Sequence, residues 1–136
     1  MEIKSVLLAA STCMAIAAAT IGAAHAQTSK ESQPHAYYIA EFRITSSEGM
    51  KPYSARVAST FEPYGGRYIV RGGKIAPLEG EGPDNRMVII EFDSVAKAQA
   101  WYDSPEYAQL KPIRHKNAIS RVYIVEGTSQ SSPDAR

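Results

Sequence analysis

Thiol chemistry is almost missing from this 136-residue sequence, which has one cysteine (Cys13), three histidines and one tryptophan. A lone cysteine closes no disulfide within the chain. An excess of either charge is missing too. The 15 Lys and Arg nearly cancel the 14 Asp and Glu, leaving +1, and so no electrostatic footprint for general nucleic-acid binding. Apolar residues are plentiful at 44%, with 21% charged. That balance excludes a disordered chain and suits one globular domain.

The N-terminus reads as an address. Lys4 precedes an Ala-rich apolar stretch from Val6 to about Ala24, closed by Ala24-His25-Ala26 and the polar Gln27-Thr28-Ser29-Lys30-Glu31. A basic start, an apolar middle and a small-x-small exit make a secretory signal peptide cleaved after Ala26. A membrane anchor is the competing reading, since about 20 apolar residues span a bilayer. Alanine is only weakly apolar, however, and would hold poorly in lipid. Lipidation at Cys13 fits worse, because Ala10-Ser11-Thr12 is not the usual preceding pattern. The mature chain then starts at Gln27, has no cysteine, and belongs in a bacterial periplasm or outside the cell, with no membrane attachment. Thiol catalysis and thiolate metal sites are excluded. His35 and His115 are its only histidines and stand far apart, so neither a metal site nor a cofactor is expected.

Residues 27–34 read as a polar spacer and 128–136 as a disordered tail, leaving one domain over 35–127. Ala36 to Ile44 alternates as a strand. Met50, Tyr53, Val57, Ala58 and Phe61 recur at helical spacing, predicting a helix from about Gly49 with Pro52 in its first turn. Pro63 and Gly65-Gly66 stop it. Arg67 to Gly72 and Arg86 to Phe92 are strands joined by a long Gly- and Pro-containing loop. Ser94 caps a second helix bearing Val95, Ala98, Trp101 and Tyr102. Ser104-Pro105 starts a short third one through about Lys111, and Ser120 to Glu126 is the last strand. The order βαββαβ defines an α+β, ferredoxin-like antiparallel sheet with helices on one face.

Side-chain parity assigns Tyr38, Ala40, Phe42, Tyr68, Val70, Val88, Ile90 and Phe92 to the helix side. The bare face receives Tyr37, Ile39, Glu41, Arg43, Arg67, Ile69, Arg71, Met87, Ile89, Glu91, Arg121, Tyr123 and Val125. Its aliphatic side chains are too many to leave wet, at roughly 1.5–3 kcal/mol each when fully buried. Two copies packed sheet on sheet would cover them, and four arginines against two glutamates would line a positively biased interior. A homodimer is therefore expected.

Several segments resemble a known family. Tyr64-Gly65-Gly66-Arg67, Val70-Arg71-Gly72-Gly73 and Glu79-Gly80 carry the first half of the likeness. The run Ala100-Trp101-Tyr102-Asp103-Ser104-Pro105-Glu106-Tyr107, with Ile90-Glu91-Phe92, Arg114 and Val125-Glu126-Gly127, carries the second. Together they resemble the small bacterial proteins grouped as domain of unknown function 1330, over nearly all of residues 36–127. The resemblance implies the dimeric α/β-barrel superfamily, whose chains pair ferredoxin-like units through their sheets. It implies no activity, and an export signal is not a feature that this family requires.

The chemistry-bearing candidates are few. Glu91, desolvated beside Arg67 and Arg71, could act as a general base or simply neutralise them. Arg71 could grip a carboxylate by its planar fork or pair with Glu91. Tyr53, Trp101, Tyr102 and Tyr107 form either an aromatic pocket wall or helix-to-sheet core. Arg114 follows the short helix as a further ligand contact. His115 is an acid–base candidate or a solvated member of Arg114-His115-Lys116. No nucleophile–base–orienter set is visible, the glycine pairs do not cradle phosphate, and Arg67-Tyr68-Ile69-Val70 lacks the aromatic pattern of RNA-binding sheets. The sequence thus points to a small-molecule-binding dimer favouring an anion. The alternative is a cofactor-independent enzyme of oxygenase or isomerase type.

Overall fold

Strict alternation puts Ala36, Tyr38, Ala40 and Phe42 on one side of a strand, and all four are buried. This is β1 (Ala36–Ile44) in the computed structural model, which describes residues 33–83 and 86–129. The expected signal peptide, most of the spacer and nearly all of the tail lie outside the described residues.

A second strand β2 (Arg67–Arg71), a third β3 (Arg86–Phe92) and a fourth β4 (Ala118–Glu126) complete one antiparallel sheet in the order β2-β3-β1-β4. That order, reached through βαββαβ connections, is the ferredoxin-like arrangement. Helix α1 (Ser47–Phe61) and α2 (Val95–Tyr102) cross between strands, and α3 (Pro105–Ala108) and α4 (Lys111–Asn117) lead into β4. The apolar core lies between these helices and one face of the sheet.

Three boundaries depart from the sequence reading. Ser46 caps α1, its hydroxyl accepting from the Gly49 N–H at 3.1 Å, so the helix starts at Ser47. Pro52 therefore sits in the second turn, where its missing N–H leaves the exposed Glu48 carbonyl without its usual donor. The short third helix ends at Ala108, and a further helix, α4, runs through Arg114 and His115. The last strand starts two residues early, at Ala118. Asn117 ties these junctions together. Its carbonyl accepts from the Thr45 and Ser46 N–H groups, and its Nδ2 donates to the carbonyls of Gly49 and Ile113. A Cβ on Gly49 would fall 1.9 Å from Asn117 Oδ1, so glycine is what lets α1 and α4 meet.

The largest change to the reading is in β2. Arg67 pairs with Glu91 and Tyr68 with Ile90, but Val70 pairs with Ile89 and Arg71 with Val88. Ile69 is an extra residue, a β-bulge that reverses parity beyond it. Val70 thus moves from the helix side to the bare face, and Arg71 moves the other way.

Candidate functional site

Residues from β1, β2 and β3 and the underside of α1 line a narrow cleft that opens to solvent at its mouth. Helix α1 contributes Met50, Tyr53, Ser54 and Val57 at i, i+3, i+4 and i+7, the spacing of one helical face. The sheet contributes Tyr38, Phe42, Tyr68, Val88 and Ile90, all of helix-side parity, together with Ile44. Arg71 and Arg86 stand at the mouth. Arg71 lies over the Tyr68 ring, its guanidinium carbon 4.8 Å from the centroid. Arg86 pairs across β1 with Phe42 and so points to the same side. Gly72, at φ +67°, leaves room for it, since a Cβ there would lie 2.7 Å from Arg86 Nε. Among the described residues neither arginine pairs with a carboxylate, and no acidic residue lines the cleft.

Behind the cleft is a hydroxyl cluster. Tyr107 Oη lies 3.3 Å from Tyr38 Oη and 3.2 Å from Tyr53 Oη. Ser104 places Tyr107 by capping α3, where Pro105 occupies the first turn. Burial pushes the Tyr38 and Tyr53 phenols far above the usual tyrosine range, and the neighbouring hydroxyls add to it. Arg114, on α4, is only 2% exposed. It donates to Ser120 Oγ and, at 3.0 Å, to His115 Nε2. Its Nε has no hydrogen-bond partner, and no carboxylate meets it among the described residues.

The other expected site residues divide. Trp101 is fully buried core, not pocket wall: its ring packs on Phe92 and Tyr107, and its Nε1 donates to Thr60 Oγ1 at 3.0 Å. Tyr107 touches the cleft only through the two tyrosines it binds. Tyr102 is half-buried under Lys111, whose Nζ lies 3.9 Å from its ring. His115 is exposed, and burial of its ring, then the positive charges of Arg114 and Lys111, lower its pKa.

Glu91 faces the opposite side of the sheet from Arg71, so the two do not form one site. His35 Nδ1 donates to Glu91 Oε1, and Arg67 donates to Oε2 at 2.6 Å. The His35 hydrogen bond is the first cause holding this carboxyl below its usual range; desolvation opposes it, and the Arg67 charge adds to the lowering. An ionised, doubly paired carboxylate is a neutralised charge cluster rather than a base poised near neutral pH. With Arg71 gone from it, the bare face keeps Arg43, Arg67 and Arg121 against Glu41 and Glu91. Arg121 Nη2 donates to both carboxylate oxygens of Glu41, at 2.9 and 3.0 Å, and Tyr123 Oη adds a third bond.

Arg86, Tyr38 and Tyr68 were not singled out from sequence. Their signal was present in the parity of β1, β2 and β3, since Arg86 is two residues from Val88.

A ferredoxin-like α+β unit with a tyrosine- and arginine-lined cleft beneath its first helix is the class of protein these features define. Its family follows from sequence: the model for the domain of unknown function DUF1330 matches residues 35–128, and the chain belongs to that family. No curated protein matches it significantly in sequence. Among solved structures it is similar to a protein of unknown function from Rhodopseudomonas palustris. There the TM-score is 0.58 at 20% identity, covering 71% of this chain and 85% of that one. It is also similar to a conserved protein from Bacteroides thetaiotaomicron described as a possible oxidoreductase, with TM-score 0.50, 12% identity, and coverage of 69% and 98%. SnoaB, a cofactor-independent oxygenase from Streptomyces nogalater, is more distant, with TM-score 0.49, 10% identity, and coverage of 74% and 98%. At these identities the likeness shows the fold alone.

Proposed function

We propose that this protein binds a small amphipathic anion in the cleft between α1 and the sheet, with its charged end at Arg71 and Arg86 and its apolar body along Tyr68, Met50 and Val57. The observation that carries the reading is the unbalanced charge of an aromatic-lined cleft: among the described residues, two arginines at the mouth without a carboxylate partner and no acidic residue in the wall. Planar guanidinium forks suit a carboxylate. Para-methylbenzoate is a fitting probe, titrated calorimetrically into the purified protein. Arg71→Ala and Arg86→Ala are each expected to weaken binding about tenfold, the scale of one hydrogen bond to a charged group. Both arginines lie at exposed positions, so the fold should survive. Unchanged affinity in both variants would remove the assignment.

The same reading includes a homodimer formed through the bare sheet face. Ile119, Tyr123 and Val125 are exposed there, beside half-buried Ile39, Met87 and Ile89. Glu41 and Glu91 already have partners within the chain, so covering this face strands neither carboxylate. The reading also places the protein outside the cytoplasm, on the strength of the Lys4-to-Ala26 segment.

A further inference from the structure

The tyrosine end of the cleft has one more O–H proton than its contacts within the cluster can use, and the surplus follows from counting. Three phenols share only two O···O contacts, Tyr38 to Tyr107 and Tyr53 to Tyr107. Each phenol carries one O–H proton. However the three are oriented, one proton has no acceptor within the cluster. Outside the cleft lining, but within electrostatic reach of these tyrosines, Arg114 has an idle Nε–H and a charge at 2% exposure that meets no carboxylate among the described residues. A buried unsatisfied donor and a lone buried charge are each destabilising, so their presence calls for an acceptor. Water could satisfy a donor but not the charge.

Resting on the cleft reading above, we propose that Tyr38 and Tyr53, backed by Arg114, form an oxyanion subsite, so that the ligand is an anion with a second, acceptor oxygen at its inner end. A phenolate or enolate oxygen fits this description. One phenol O–H donates to it directly, and Arg114 stabilises its charge through a medium of low dielectric. The cleft thus reads its ligand at two points, a carboxylate at Arg71 and Arg86 and an oxyanion at the tyrosines. A site that holds such an oxygen lowers the pKa of the ligand's own hydroxyl.

Two isosteric probes separate the ends. Para-hydroxybenzoate carries an ionisable oxygen opposite its carboxylate, and para-methylbenzoate has a methyl group there. The wild type is expected to bind the hydroxy compound about tenfold more tightly. The bound compound should show the ultraviolet spectrum of its phenolate at a pH where the free compound is a neutral phenol. The Tyr38→Phe/Tyr53→Phe double variant keeps both rings and removes both cleft hydroxyls. It should lose the preference and the phenolate spectrum. Equal affinities for the two probes in the wild type, or a neutral bound phenol, would overturn the oxyanion subsite and leave the arginine end standing. If neither probe binds, the cleft reading falls and the subsite with it. The wild-type comparison decides the matter even if the double variant does not fold.

Discussion

Arg114 carries a permanent charge into the core, donates to Ser120 and His115, and leaves its Nε idle. Among the described residues no carboxylate meets that charge. Replacing it by a side chain of similar length and no charge should therefore stabilise the empty protein: Arg114→Met is expected to gain about 1–2 kcal/mol, read as a higher melting temperature. A lower melting temperature would show that the charge is compensated in the free state. The same substitution should diminish the phenolate signature of bound para-hydroxybenzoate. Residue types were legible in the sequence, and roles less so. Trp101, Tyr102 and Tyr107 stood out, but a helix face turned towards core and one turned towards a cleft have the same spacing, and only the sheet beneath Trp101 shows which it is. Glu91 was open to two readings, a general base or a charge partner of Arg67 and Arg71, and of those two arginines it meets Arg67. His35 was overlooked because it precedes the first strand, where alternation gives no guide.

The four strands and two crossing helices could be read from period alone, since each long element alternates or repeats cleanly. Two local features hid the rest. Pro112 comes four residues after the end of α3 and reads as a break, yet it lies in the first turn of α4, where a missing N–H is harmless. The bulge at Ile69 hides in a run, Arg67-Tyr68-Ile69-Val70-Arg71, whose alternation is unbroken in sequence. Register belongs to a pair of strands, and half of this pair lies across a long loop. Deleting Ile69 would leave Arg67, Tyr68, Val70 and Arg71 opposite Glu91, Ile90, Ile89 and Val88 in unbroken alternation, so Arg71 should still face the cleft. The deletion is therefore expected to leave the affinity for para-methylbenzoate nearly unchanged, in contrast to Arg71→Ala. A loss as large as that of Arg71→Ala, with circular dichroism showing an intact fold, would mean that the bulge itself shapes the site.

Across the whole molecule, one sheet serves two purposes: its helix side holds a core and a cleft, and its other side keeps an apolar surface whose carboxylates are already paired. Standard interfaces bury roughly 800 Å² per partner, which a four-stranded face can supply. Light scattering on the mature protein should give twice the chain mass, and Val125→Lys, at an exposed position on that face, should give the single mass with little change in fold. A monomeric wild type would leave the bare face without the proposed partner. The extra residue in β2 also bears on how relatives should be compared. Two chains of equal length through this strand, with the same arginine in the same alignment column, send it to opposite sides of the sheet if only one of them bulges at the position of Ile69. Conservation at that column then measures spelling; whether the arginine faces the cleft or the bare side depends on a register that no alignment gap records.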